Sequence, residues 1–189
     1  MPTQRLDISR SNSPHSRGQR LRRVLWGVAW TVLFRPSPRP MHGWRNLLLR
    51  QFGAKIARTA RVYPRARVWA PWNLVMGEYA TIGDDVDCYC VATITIGDHS
   101  VVSQYSYLCA ATHDFELATR PLVAKPITIG ASCWLAADVF VGPGVTIGEG
   151  TVVGARSSVF GDLPEWKVCA GSPARVVRER VIREEGLEA

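Results

Sequence analysis

A histidine stands where a regular pattern of aliphatic residues is interrupted, and two acidic residues follow it closely. These residues are His113, Asp114 and Glu116. Histidine titrates near neutral pH, so it suits the removal of a proton from a poor nucleophile such as a hydroxyl. Either acid could orient the imidazole or contact a second substrate, and solvated loop acids are an equally good interpretation. The segment therefore predicts a general base at His113, with Asp114 and Glu116 as orienting or substrate-binding candidates.

The surrounding pattern is a repeat of six residues. Helices repeat their apolar residues about every 3.6 positions and simple strands about every 2, so neither explains this period. Short strands joined by tight turns do explain it, with the aliphatic residue pointing inward and a small residue after it permitting the turn. The sequence therefore predicts an all-β fold, a parallel β-helix of hexapeptide repeats. The inward positions are Ile129, Leu135, Val141, Ile147, Val153 and Val159.

The same period continues upstream in shorter sets, with phase slips near Leu74 and Ile94. The largest interruption, residues 113–126, is too irregular for the coil and predicts an excursion loop, where function tends to lie on a rigid scaffold. We divide the chain into a disordered basic tail (1–20), a helical segment (21–53), the β-helix (54–164) and a capping segment (165–189). The upstream sets are Ile56, Val62 and Val68, then Met76, Ile82 and Cys88, then Ile96, Val102 and Leu108.

The two ends of the chain depart from the repeat. Residues 1–20 are polar and rich in Ser and Arg, which is typical of disorder. Leu21 to Phe34 predicts a helix that is apolar nearly all round, and Trp44 to Phe52 predicts a second helix closed by Gly53. From Ala174 onward the sequence predicts a short C-terminal helix that caps the open end of the coil.

Positive charge is concentrated in the N-terminal part. Residues 8–77 contain 14 Lys and Arg and no acidic residue, whereas residues 51–189 contain 13 basic and 15 acidic residues. An anionic partner is therefore expected for the N-terminal segment only.

Two interpretations of Val24 to Phe34 compete. The helix packs against the coil or a neighbouring subunit, or residues 17–39 make a peripheral contact with the inner face of a membrane.

The remaining composition predicts a cytoplasmic protein. No apolar run reaches the roughly 20 residues of a membrane-spanning helix, and Val24 to Phe34 lacks the cleavage site of a signal peptide. An odd number of cysteines, mostly inside the repeats, predicts reduced core residues and neither a disulfide framework nor a metal site. The five cysteines are Cys88, Cys90, Cys109, Cys133 and Cys169.

Six segments carry a resemblance to a known family. They are RNLLLRQFGAKIA, VWAPWNLVMGEYATIGDDVDCY, TITIGDHSVVSQYSYLCAATHDF, PITIG, CWLAADVFVGPGVTIGEGTVVGARSSVF and AGSPARVVRER. The chain resembles the hexapeptide-repeat acyltransferases, and in particular the WcaF-like colanic acid biosynthesis acetyltransferases. The resemblance implies a left-handed coil and a homotrimer. It also implies O-acetyl transfer from acetyl-CoA to a sugar hydroxyl, with a sugar or lipid-linked glycan of exopolysaccharide biosynthesis as the acceptor.

The resemblance also assigns roles to individual residues. His113 matches the family's catalytic histidine. The cofactor groove, expected between neighbouring subunits, begins with two positions near the thioester and ends with a basic pair for the phosphates of coenzyme A. The two positions near the thioester are Trp134 and Ala137, and Ala155 comes next along the groove. The basic pair is Arg175 and Arg178.

Two positions depart from the family pattern. Many relatives carry a lysine near the cofactor where this chain has Gly161, so one cofactor contact is expected to be missing. Cys90 stands where relatives often have asparagine, which makes Cys90 a candidate for acceptor binding and predicts a changed choice of acceptor. Neither departure removes the proposed base, His113.

Other function classes fit the sequence less well. A γ-class carbonic anhydrase needs three zinc-binding histidines, and only His99 and His113 lie in the repeats. A nucleotidyltransferase needs a glycine-rich phosphate loop, which the chain lacks, and no nucleic-acid partner is expected. Acetyl transfer to a small acceptor such as serine, and a catalytically silent scaffold, both stay open. Acetyl-CoA binding separates an enzyme from a scaffold.

Overall fold

Short strands make up most of the protein. The structure is a computed structural model and describes residues 16–183. The helices are α1 (Arg17–Ala29) and α2 (His42–Gln51), with a π-helical turn at Trp30–Phe34 and a 3-10 turn at Pro71–Asn73. The strands are β1 (Lys55–Ile56), β2 (Arg61–Val62), β3 (Arg67–Val68), β4 (Leu74–Met76), β5 (Thr81–Ile82), β6 (Asp87–Tyr89), β7 (Ile94–Ile96), β8 (Val101–Val102), β9 (Tyr107–Cys109), β10 (Ala111–His113), β11 (Leu122–Ala124), β12 (Ile127–Ile129), β13 (Trp134–Leu135), β14 (Phe140–Val141), β15 (Thr146–Ile147), β16 (Val152–Val153), β17 (Ser158–Val159), β18 (Lys167–Gly171) and β19 (Ala174–Glu179).

The strands form a coil with three sides. The first sheet contains β1, β4, β7, β12 and β15, and the third contains β3, β6, β9, β14 and β17. The second sheet contains β2, β5, β8, β13, β16, β18 and β19. Neighbouring strands in these sheets run parallel, except the final pair β18 and β19. Successive strands of the coil thus move from one sheet to the next, and the predicted parallel β-helix is confirmed.

The repeat residues fill the interior of this coil. Each of the six aliphatic residues spaced from Ile129 to Val159 is at most 1% exposed. The three upstream sets, from Ile56 to Leu108, are buried in the same core. Burial of this aliphatic column removes apolar surface from water in every rung, which stabilises the stack.

Glycines at the corners let neighbouring rungs approach closely. A Cβ atom on Gly97 would lie 2.6 Å from the nitrogen of Ala131, and a Cβ on Gly130 would lie 2.7 Å from the nitrogen of Glu149. The positive φ angles at these corners belong to other residues, such as Ser132 with φ of 56°. The prediction that a small residue is needed here is confirmed. The reason is the close approach of two backbones and not the turn conformation itself.

The N-terminal helices begin earlier than the sequence predicted. Ser16 caps α1, because its Oγ accepts the N–H of Gln19 while the Gln19 side chain accepts the N–H of Ser16. The predicted disordered tail over 1–20 is therefore wrong for residues 17–20, and residues 1–15 lie outside the described part of the chain. The second helix is confirmed, and Gly53 closes it with a φ of 96°.

Both helices dock onto the first rung of the coil. The indole N–H groups of Trp26 and Trp30 donate to backbone carbonyls of that rung at 2.6 and 2.9 Å. The buried guanidinium of Arg45 donates from Nε to the carbonyl of Val62 at 2.6 Å. Along the strands elsewhere in the coil, the carbonyls of each rung accept N–H groups from the preceding rung. The helices therefore supply the donors that the first rung would otherwise lack.

The interruption at His113 is an antiparallel hairpin outside the three sheets. In this hairpin β10 pairs with β11, joining Ala111 to Ala124 and His113 to Leu122. The excursion predicted at 113–126 is confirmed. It leaves the coil earlier, at Ala111, and its two strands pair with each other, whereas the sequence predicted an irregular loop. It lies between β9 of the third sheet and β12 of the first sheet.

The C-terminal helix predicted from Ala174 is wrong. Strands β18 and β19 form an antiparallel hairpin that extends the second sheet. The β-branched pair Val176 and Val177 favours strand over helix. Lys167 and Glu179 form an ion pair across the hairpin. Residues 184–189 lie outside the described part of the chain.

The cysteines occupy the positions predicted for core residues. Cys88, Cys90, Cys133 and Cys169 are at most 1% exposed, and Cys109 is half-buried. All five have free thiols. They therefore act as small packing residues of the coil.

Candidate active site

The His113 side chain is exposed on the hairpin and is held by a backbone carbonyl. Its Nδ1 lies 2.7 Å from the carbonyl oxygen of Arg120. Because that oxygen can only accept, Nδ1 carries a proton and donates it, and in the neutral ring the lone pair then lies on Nε2. Arg120 has a positive φ of 44°, and its N–H donates to the carbonyl of Leu117 at 3.0 Å. This turn fixes both the ring and the tautomer that a general base requires.

The two acids near His113 have different surroundings. The N–H of Asp114 donates to the carbonyl of Pro121, and Asp114 Oδ1 accepts the N–H of Glu116, both at 3.0 Å. Asp114 therefore shapes the loop, and the carbonyl of Arg120 orients the imidazole. Sequence reasoning missed Arg120 because a backbone carbonyl has no signature in residue types. The Glu116 side chain is exposed and stays a candidate for acceptor contact.

Three of the predicted cofactor positions lie together on the coil. Trp134 is 50% exposed on the second sheet, where its indole N–H donates to Ser103 Oγ at 3.0 Å. Ala137 and Ala155 occupy the same corner in successive rungs, and the N–H of Arg156 donates to the carbonyl of Ala137 at 3.0 Å. The corner carries a cavity of about 470 Å³ lined by Gln104, Tyr105, Ala137, Asp138, Ala155 and Arg156.

The two arginines of the predicted phosphate site lie on β19, at the edge of the second sheet. Trp134 pairs with Val152, Val152 with Val168, and Val168 with Arg178. Three strand spacings separate Trp134 from Arg178, which amounts to about 14 Å. Arg175 and Arg178 are both exposed. An extended ligand along this face would reach from the indole to the two guanidinium groups.

One chain does not bring its histidine and its cofactor positions to the same corner. Ala137 lies between β13 of the second sheet and β14 of the third sheet, whereas the His113 hairpin leaves between the third and first sheets. The two parts therefore lie on different edges of a three-sided coil. A site that uses both needs a neighbouring copy of the chain.

The structure places Cys90 where it cannot contact an acceptor. Its side chain is 0% exposed, and its sulfur lies 3.2 Å from both the nitrogen and the oxygen of Ala70. On the strand just before Cys90, β6, the side chains that face outward are Asp87 and Tyr89, which sequence reasoning missed. Strand alternation could have found them, because Cys88 already belonged to the inward set.

A second cavity lies between α1 and the outer face of the third sheet. It has a volume of about 390 Å³ and includes Asp87 and Tyr89 in its lining. The guanidinium of Arg23 lies 3.8 Å from the centroid of the Trp69 ring at this groove. Burial raises the pKa of the Asp87 carboxyl, and the charge of Arg67 partly offsets this. The groove thus combines aromatic faces, a carboxyl group and cations.

Comparison with known proteins gives several similarities. Residues 126–161 match the family model described as bacterial transferase hexapeptide (six repeats). The chain is 52% identical over 167 residues to the colanic acid biosynthesis acetyltransferase WcaF of Escherichia coli (strain K12), covering 88% of this chain and 92% of that protein. It is 35% identical over 144 residues to the galactoside O-acetyltransferase of the same organism, covering 71% and 68%.

A solved structure agrees with these sequence similarities. It is a hexapeptide-repeat acetyltransferase of Vibrio cholerae O1 biovar eltor, complexed with acetyl-CoA. The two folds superpose with a TM-score of 0.77 at 26% identity, covering 90% of this chain and 93% of that chain. The similarity therefore extends over nearly the whole coil and its N-terminal helices.

Proposed function

Because the chain belongs to the hexapeptide-repeat acyltransferases, in the branch of the WcaF-like colanic acid biosynthesis acetyltransferases, we propose that it O-acetylates a sugar of exopolysaccharide biosynthesis with acetyl-CoA. The observation that carries the catalytic part of the proposal is the hydrogen bond from His113 Nδ1 to the carbonyl of Arg120. In the neutral imidazole this bond places the proton on Nδ1 and leaves the lone pair on Nε2, the atom that would accept the proton of the acceptor hydroxyl.

The chemistry needs no covalent acyl-enzyme. Nε2 of His113 takes the proton from the acceptor hydroxyl while the hydroxyl oxygen attacks the thioester carbonyl. The new carbon–oxygen bond forms, the carbon–sulfur bond breaks, and the imidazolium returns the proton to the sulfur of coenzyme A. Positioning the two substrates and the base together supplies the remaining rate enhancement.

We propose a homotrimer with the site shared between neighbours. The hairpin of one subunit would bring His113 to the corner of the next, beside Ala137 and Ala155. The support is that these parts occupy different edges of one coil. Acetyl-CoA would extend from this corner past Trp134 toward Arg175 and Arg178, across the three strand spacings of the second sheet that separate Trp134 from Arg178.

We propose that the acceptor contacts the outer face of the third sheet and the hairpin. Asp87 can accept hydrogen bonds from sugar hydroxyls, and Tyr89 offers an aromatic face to a sugar ring. Glu116, exposed on the hairpin that carries His113, is the third candidate. Cys90 has no part in this proposal because it lies in the core.

Replacing Gly161 with lysine is expected to lower the KM for acetyl-CoA about two- to fivefold. A Cβ atom on Gly161 meets nothing within 4 Å, so the side chain fits without strain. The added cation would restore the cofactor contact that the resemblance assigns to a lysine in many relatives. The measurement is steady-state kinetics at saturating acceptor, with Gly161→Ala as the control that adds a side chain without charge. An equal effect of alanine and lysine would contradict the electrostatic explanation.

Replacing Arg175 with glutamate is expected to raise the KM for acetyl-CoA about tenfold, with a smaller change in kcat. The substitution reverses a charge that is assigned to the cofactor phosphates. Arg58→Glu is the control, since it makes the same charge change at an exposed site in the first rung. If the KM of the acceptor rises instead, Arg175 belongs to the acceptor site.

We further propose a cytoplasmic enzyme that contacts the inner face of a membrane through residues 17–39. Lipid-linked glycans present their sugars at such a surface, so peripheral contact would bring the enzyme to its acceptor. The support is the excess of arginine and exposed aliphatic side chains in this segment.

The decisive experiment for the proposed function is an acceptor screen with labelled acetyl-CoA. Simple sugars, lipid-linked glycans and serine are tested with the full-length protein, and the product linkage is read by mass spectrometry and NMR. Acetylation of a sugar hydroxyl supports the proposal. Acetylation of serine alone would favour the small-acceptor alternative, and failure to bind acetyl-CoA would favour a silent scaffold.

A further inference from the structure

The outward face of α1 and its π-helical extension is an apolar stripe. Its members follow one another at spacings of three, one, three and four residues, which places them on one side of the helix. Each is between 55% and 63% exposed, and nothing within residues 16–183 covers them. We call this set the outer stripe: Leu21, Val24, Leu25, Val28 and Val32.

The opposite face of the helix is already engaged with the coil. Trp26 and Phe34 are 3% and 0% exposed, and their rings are 5.8 Å apart. The indoles of Trp26 and Trp30 donate to carbonyls of the first rung. The packing interpretation of this helix is therefore confirmed for one face. Rotation of the helix to bury the outer stripe would break both bonds, so the stripe stays outward.

Cations border the outer stripe at both ends. Arg17 lies one turn before Leu21, and Arg20 lies one turn before Val24. Arg35 follows the stripe at its other end, and all three arginines are exposed. Residues 8–77 contain no acidic residue. The stripe and the residues next to it in the sequence thus combine apolar side chains with positive charge only.

The charge pattern selects the partner. Two copies of this face in contact would bring their arginines together without a carboxylate from residues 8–77 to pair with them. An anionic bilayer offers phosphate groups to the arginines and hydrocarbon to the aliphatic side chains. The stripe spans about 17 Å along the helix, so it would contact the surface along its length. No helix within residues 16–183 has the length and apolar character needed to cross a membrane.

We propose that the outer stripe docks the enzyme on an anionic lipid bilayer, with its aliphatic side chains in the hydrocarbon edge and Arg17, Arg20 and Arg35 on the headgroups. The inference rests on the peripheral contact included in the proposed function. It identifies the side chains that make that contact and fixes α1 parallel to the bilayer surface.

The test is flotation of the full-length protein with vesicles of phosphatidylcholine containing about one quarter phosphatidylglycerol. Wild-type protein is expected to float at low salt and to sediment at high salt or with pure phosphatidylcholine. Val24→Gln combined with Val28→Gln removes apolar surface without adding charge and is expected to weaken vesicle binding about tenfold or more. Arg17→Gln combined with Arg20→Gln is expected to weaken it at least about fivefold.

Val177→Gln is the matched control, since Val177 is 64% exposed on β19, away from α1. It is expected to float like wild type. Acetyl transfer to a water-soluble sugar should be unchanged in the valine double variant, which separates loss of docking from loss of enzyme function. Wild-type protein that stays at the bottom of the gradient at low salt would overturn the proposal. A change in oligomeric state of the valine variant, without any loss of flotation, would instead assign the stripe to a second copy.

Discussion

Replacing His113 with alanine is expected to lower turnover by about 10²-fold or more while acetyl-CoA still binds. The imidazole is the group assigned to accept the hydroxyl proton, and its Nε2 is kept available by the bond from Nδ1 to the carbonyl of Arg120. The proposed cofactor positions lie on another corner of the coil, so the substitution leaves their geometry in the same chain unchanged. Steady-state kinetics and calorimetric titration of acetyl-CoA measure the two quantities.

A matched control is available in the other histidine of the repeats. His99 stacks on the ring of Tyr79 at a corner, with a positive φ of 58°. Asparagine tolerates that conformation, so His99→Asn should fold normally and keep its turnover. Equal losses in the two variants would point to a general structural effect, and unchanged turnover in His113→Ala would refute the assigned base.

Chains that each lack one half of the site are expected to restore activity when they assemble together. Ala155 is exposed at the corner cavity, and a tryptophan at this position would fill that cavity. The substitution should lower turnover by about 10²-fold, because it would misplace the bound substrate. His113→Ala chains keep the corner, and Ala155→Trp chains keep the base. In a cyclic trimer of both kinds, one neighbour pair combines an intact corner with an intact histidine. Mixed trimers should therefore regain about one third of wild-type activity.

The experiment uses two affinity tags, one on each variant, so that only mixed assemblies are isolated. The fraction of one third is the same for trimers of either composition, because each ring contains one productive junction. Each variant carried alone through the same purification should stay inactive. Mixed assemblies that remain inactive would show that the site lies within one chain, and the shared-site proposal would be withdrawn.

The period of six made the coil predictable because one inward residue per side of each rung is a strong geometric requirement. From Ile129 to Val159 every such residue is buried, as predicted. The same argument extended to Asp87 and Tyr89 would have placed them outward and Cys90 inward. The error at Cys90 came from matching it to a family position without checking strand alternation.

Other features depend on contacts between distant parts of the chain, which residue patterns do not contain. The hairpin β18–β19 forms because the last rung offers an edge for pairing, and this overrides any local helical tendency after Ala174. The carbonyl of Arg120 reaches His113 only because the loop folds back and brings together two residues that are seven positions apart in the sequence. Such backbone groups carry no residue-type signal, so the orienting partner of His113 could be found only from the structure.

The His113 hairpin has a consequence for how enzymes of this fold diversify. Its two strands close on each other, with Ala111 paired to Ala124, and the coil resumes with Ile127 paired to Ile94 in the rung before the excursion. The tip of the hairpin can therefore change in length or composition without shifting the register of any later rung. The insertion behaves as an exchangeable part whose sequence is free of the six-residue constraint. Under the proposed function, acceptor preference can thus evolve, or be engineered, while the corner proposed for acetyl-CoA stays constant.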